Sequence, residues 1–76
     1  MEKNKLIDPV TVGKRLRILR GIRTRAEVEK ETGMPQTRLG NYEHGYRYPK
    51  DDAKVLLANY YGVTVQQLFF EDDNHE

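Results

Sequence analysis

The chain has 76 residues, 37% of them hydrophobic, with no Trp and no Cys; it allows one small domain with a modest core and excludes a disulfide framework or a Cys-based zinc site. Its net charge of +1 hides an uneven layout: residues 1–50 carry 12 Lys and Arg against 6 Asp and Glu, residues 51–76 one against six. A basic N-terminal two-thirds suits a polyanion, and an acidic end would be turned away from it. No apolar run approaches the roughly 18 residues of a membrane span, and MEKNKLIDP lacks the apolar segment of a signal peptide.

Residues 1–7 show no period and are expected to form a flexible arm. Asp8-Pro9 marks a helix start, a capping acid followed by Pro at the first helical position. Val12, Leu16 and Leu19 recur at i, i+4, i+7, which predicts an amphipathic helix from Pro9 to Arg20. Lys14, Arg15, Arg17 and Arg20 cover its remaining surface. Gly21 sits near its end, and Ile22 is placed to fold back onto the core. Thr24 and Glu27 have the spacing of a capping box and open a second helix, with Val28 and Thr32 on one face. Gly33 stops that helix, because glycine accepts the left-handed conformation without strain.

Met34 turns inward. Pro35 suits the beginning of a third helix running to His44. Leu39 and Tyr42 give this helix an inward face, flanked by Glu43. Gln36, Thr37, Gly40 and Asn41, at i, i+1, i+4 and i+5, share the other face. The segment His44–Lys50, HGYRYPK, reads as a loop. Tyr46, Arg47, Tyr48 and Lys50 carry donors that suit phosphates; the other reading packs one or both tyrosines down as a lid. Asp51 or Asp52 would cap a fourth helix ending at Tyr61 before Gly62, with Ala53, Leu56, Leu57, Tyr60 and Tyr61 on its buried side. Thr64 and Gln67 form a second capping-box pattern. It opens a fifth helix with the apolar end Leu68–Phe70, in which Leu68 is assigned to the core and Phe69 and Phe70 stay open between core and interface. EDDNHE is predicted to be a disordered acidic tail over 71–76.

Five short helices with brief connections predict an all-α domain over 8–70. Helices two and three, joined by a turn holding Gly33, have the helix-turn-helix layout. The exposed face of the third offers residue types that match base edges: Gln and Asn pair with adenine, Arg with guanine, and Thr meets a thymine methyl. An enzyme is not expected. His44 and His75 have no spacing that suggests a metal or a triad, and His44 reads better as a cation at a helix C-terminus. No cofactor, metal or small-molecule ligand is expected.

From about Val12 to Phe70 the chain resembles the Cro/repressor-type (XRE-like) helix-turn-helix family. VGKRLRILR looks like its first helix, RAEVEKETGMPQTRLGNYEHG like its two-helix core, and GYRYP with LLANYYGVTVQQLFF like its loop and last two helices. The resemblance implies a five-helix lambda-repressor-like fold and sequence-specific binding of double-stranded DNA. It also implies a transcriptional repressor of phage or mobile-element type, acting as a homodimer on a pseudo-palindromic operator in the cytoplasm. Gln36, Thr37 and Asn41 would read bases, with Arg38 at the groove edge. Thr24, Arg25, Tyr46, Arg47 and Lys50 would hold phosphates, and Arg20 with Glu43 would form a structural salt bridge between helices one and three. Antitoxins and adaptors share this fold, so a protein-interaction module is the alternative. Three features depart from the common pattern. The link between helices one and two is about two residues short, Glu29 replaces a small residue near the crossing of helices two and three, and Gly40 lies inside the recognition helix, where it costs about 1 kcal/mol relative to Ala.

Overall fold

The computed structural model describes residues 5–71. Its helices are α1 (Pro9–Arg20), α2 (Arg25–Thr32), α3 (Gln36–Glu43), α4 (Asp51–Tyr61) and α5 (Val65–Phe69). Local chemistry sets most of their ends. The Asp8 carboxylate accepts from the Thr11 amide at 3.0 Å and from the Thr11 hydroxyl at 2.8 Å, so α1 starts with an orphan amide satisfied. Both capping boxes form. The Glu27 amide donates to the Thr24 hydroxyl oxygen at 3.0 Å while the Thr24 amide donates to the Glu27 carboxylate at 2.9 Å. Thr64 and Gln67 repeat the pair at 2.9 Å in each direction. Gly33 and Gly62 close α2 and α4 at φ of 86° and 74°.

Two helix starts differ from expectation. Pro35 and Lys50 occupy the cap positions of α3 and α4, and neither supplies a side-chain cap. Asp51 and Asp52 therefore lie inside the first turn of α4 instead of capping it. There their charge still meets the positive end of the helix dipole, and Asp52 accepts from the Ala53 amide at 2.8 Å.

The core is built from Val12 and Leu16 of α1, Val28 of α2, Leu39 and Tyr42 of α3, Leu57 of α4, and Leu68 and Phe69 of α5. Met34 fills the turn between α2 and α3. Helix α1 packs on α3 and α5, α2 on α3, and α4 on α5. The α1–α3 approach is backbone to backbone. A Cβ on Gly13 would lie 2.8 Å from both the carbonyl carbon of Glu43 and the carbonyl oxygen of Tyr42. Hydrophobic periodicity passes over Gly13, because a missing side chain leaves no mark in an apolar pattern. Glu29 is half-buried, yet α2 still packs on α3.

Two expectations are corrected and one open alternative is resolved. Ile22 does not fold back onto the core; it is fully exposed. The four-residue link Gly21–Thr24 is held by the Arg23 amide to the Arg20 carbonyl at 3.1 Å and by Arg20 Nη1 to the Arg23 carbonyl at 2.7 Å. These bonds leave Ile22 at the apex of a tight turn. The arm is not free over its last residues. The Ile7 amide donates to the Phe69 carbonyl at 3.0 Å, the Glu71 amide donates to the Lys5 carbonyl at 2.8 Å, and Leu6 bridges Phe70 antiparallel. Burial of Ile7 adds an apolar anchor to this pairing. Residues 1–4 of the expected arm and 72–76 of the expected tail lie outside the described residues. Finally, Phe69 is fully buried and Phe70 packs partly against the core, so Leu68–Phe70 closes the domain instead of standing out as an apolar face.

Candidate nucleic-acid interface

Helix α3 is held by its inward residues. Leu39 is fully buried and Tyr42 nearly so, which fixes the rotation of the helix and turns the opposite face outward. On that face Gln36, Thr37 and Arg38 are exposed and Asn41 is half-exposed. The backbone beyond α3 folds tightly against it. The amides of Tyr46 and Arg47 both donate to the Asn41 carbonyl, at 2.9 and 3.3 Å, so the loop starts from the same residue whose side chain lies on the outer face.

Behind this face lies a buried charge. The Glu43 side chain has no exposed surface. Its Oε2 accepts from Arg20 Nε at 2.7 Å, and its Oε1 accepts from Arg20 Nη2 at 3.0 Å. Oε1 also accepts from Arg25 Nε at 3.0 Å and Nη2 at 2.9 Å. A carboxylate offers about four acceptor sites; here three of the four bonds converge on Oε1 and one reaches Oε2. Burial of an unpaired carboxylate would be prohibitive; two arginine forks offset that cost. The hydrogen bond to Glu43 raises the Arg20 pKa further, against the opposing effect of burial. Nearby, burial and then the Glu43 charge push the Tyr61 hydroxyl up to about 12, so it stays neutral at any physiological pH.

The Arg20–Glu43 pair stands where the resemblance places it. Arg25 does not stand as a free phosphate grip: its guanidinium is anchored to Glu43 and lies against Gly40 of α3. Sequence reasoning missed this second arm. The available signal was the acceptor capacity of a buried glutamate, which one arginine fills only in part.

The remaining residues divide between the domain and its surface. The Thr24 hydroxyl oxygen is engaged as the α2 cap, with its own O–H still able to donate. Tyr46 is 76% exposed, and Tyr48 is half-buried. Tyr48 is the lid: its hydroxyl donates to the Phe69 carbonyl at 3.3 Å and its ring meets Phe69 edge-on at 6.1 Å. Tyr46 stacks instead on His44, with ring centroids 5.4 Å apart, and His44 Nδ1 bonds the Gly40 carbonyl at 2.8 Å. Arg47 and Lys50 are exposed. With Arg38 and Asn41 they border a concavity of about 510 Å³ between α3 and the start of α4. Asp52 borders it too. The acidic third of the chain is thus not wholly turned away from the basic side, because α4 begins where the basic loop ends.

A Helix-turn-helix family model matches residues 14–68. The BldD DNA-binding domain of S. venezulae has a similar structure, with a TM-score of 0.70 at 29% identity over 80% of this chain and 94% of that one. A crystal structure of the DNA-binding domain of BldD gives 0.69 at 30% identity over 80% and 92%. Among curated proteins none matches the chain. With a family match across most of its length, and α2, Gly33 and α3 forming the helix pair, the chain belongs to the XRE-type helix-turn-helix family.

Proposed function

We propose that this protein binds double-stranded DNA by sequence, with α3 in the major groove, and regulates transcription. One observation carries the reading: Gln36, Thr37, Arg38 and Asn41 are presented on a single open face by a helix whose other face is locked into the core. Gln36 and Asn41 carry the amides that pair with adenine, Arg38 the fork that pairs with guanine, and Thr37 a methyl for thymine. Thr24, Tyr46, Arg47 and Lys50 flank this face with donors for the phosphate backbone. Arg25 adds positive charge beside them. The two similar structures are both named as DNA-binding domains, which supports the same use of the fold.

One such domain reads only a few base pairs. The reading therefore includes a homodimer on a pseudo-palindromic operator, with half-sites about one helical turn apart. It extends to repression of phage or mobile-element genes at the bacterial nucleoid. Selection of duplexes from a random pool, followed by affinity measurement across a salt series, tests it. The expected result is an enriched motif and an affinity that falls steeply with salt as phosphate contacts release counterions. Absence of both would reject it.

One observation favours a protein partner. Ile18 is 77% exposed and Ile22 fully so, both near the end of α1. A module that used only this side, as an antitoxin or adaptor would, is expected to show no salt-dependent affinity for DNA.

A further inference from the structure

Gly40 leaves a gap on the side of α3 that faces α2, between Gln36 and Asn41. A side chain from α2 fills it. The site of a Cβ on Gly40 lies 3.5 Å from Nη1 of Arg25 and 3.6 Å from its Cζ. The same guanidinium borders one shallow depression with Gln36, Thr37, Gly40, Asn41 and His44. Its Nε and Nη2 are tied to Glu43 Oε1, while Nη1 has no hydrogen-bond partner among the described residues. The guanidinium is therefore oriented before any ligand arrives, with one edge bonded and the other edge free.

We propose that Arg25 is a specificity-determining residue that reads a guanine, standing in for the side chain that Gly40 lacks, with Glu43 as its positioning residue. The inference rests on α3 lying in the major groove as proposed above. The free edge of the fork presents parallel N–H donors, which match guanine O6 and N7. Two observations favour a base over a phosphate. The guanidinium borders the same depression as the Gln36 and Asn41 amides, whereas phosphates lie along the groove rims. The bonds from Nε and Nη2 to Glu43 also fix the plane of the fork, which suits directional pairing with a base edge better than a freely turning contact to phosphate.

The test compares the wild-type chain with Arg25→Lys and Arg25→Gln by site selection and by affinity for the selected duplex. Each guanine of that duplex is replaced in turn by 7-deazaguanine, which lacks the N7 acceptor. Lysine keeps the charge but loses the fork. The expected result is one guanine position at which 7-deazaguanine weakens the wild type but not Arg25→Gln. At that position Arg25→Lys should lose discrimination by about 5- to 150-fold while the rest of the motif persists. Three results would overturn the proposal. Arg25→Lys could discriminate as the wild type does at every position. Arg25→Gln could weaken all duplexes alike with a shallower salt slope, the mark of a phosphate contact. In the wild type, no guanine could respond to loss of N7, a readout that needs no variant to fold. A wild-type chain that enriches no motif would reject the DNA reading itself; a motif without the guanine effect would reject only the role of Arg25.

Discussion

At Gly13 an added methyl would run into the α3 backbone, which has no rotamer with which to yield. At Gly40 the nearest atoms belong to the Arg25 side chain at ordinary contact distance. The same substitution should therefore have opposite signs in two helix interiors. Gly13→Ala is expected to cost about 1–3 kcal/mol through overpacking, and Gly40→Ala to add up to about 1 kcal/mol through helix propensity; denaturant melts of both variants check this. Glu43→Ala would leave two arginines facing each other across an emptied site. Loss of one partner from a buried pair costs roughly 3–5 kcal/mol. Because the Arg20 and Arg25 side chains are 18% and 32% exposed and can turn to water, a loss near the lower end is expected in the same melts.

Asp8 supplies a pH test at the same scale. Its hydrogen bonds from the Thr11 hydroxyl and amide hold its pKa below the usual aspartate value. A lowered folded-state pKa means that the stabilisation is complete above the unfolded value, near pH 4, and is lost as pH falls through the folded value. Asp8→Asn keeps a capping side chain without a titrating proton. Its melting temperature should therefore fall less than that of the wild type between pH 5 and pH 2.

For the helices as elements, the sequence is readable at the starts of α1, α2 and α5, where the cap chemistry is local. Asp8, Thr24 with Glu27, and Thr64 with Gln67 announce their caps, and the five helices stand within a residue or so of the expected ends. What failed to show was set by bonds that an apolar pattern does not carry. Ile22 reads as apolar and hence inward, but the link bonds between Arg20 and Arg23 decide its place. Lys5–Ile7 have no period of their own and are ordered by pairing with Phe69–Glu71. In the site, the outward set Gln36, Thr37, Arg38 and Asn41 follows from helical spacing, because Leu39 and Tyr42 fix the inward face. The anchoring of Arg25 does not, since it depends on how α2 lies across α3. At this scale Asn41→Ala should relax preference at one base position, by about 1–3 kcal/mol in affinity measurements on matched and substituted duplexes.

Across the whole molecule, charge decides the approach to a polyanion. Arg38, Arg47 and Lys50 border one side of the concavity, and Asp52 intrudes on it. Arg47→Ala should weaken binding to all sequences alike and flatten the salt slope by about one unit, in contrast to Asn41→Ala. The exposed Ile18 and Ile22 belong to α1 and the link that follows it, so groove reading and protein contact make distinguishable demands on the surface. Amide chemical-shift mapping with a selected duplex separates them most directly. The expected result is perturbation concentrated on Gln36–Asn41, with the flanks at Thr24–Arg25 and Tyr46–Lys50. Shifts centred on Ile18 and Ile22 with α3 unmoved would contradict the placement of α3 in the groove.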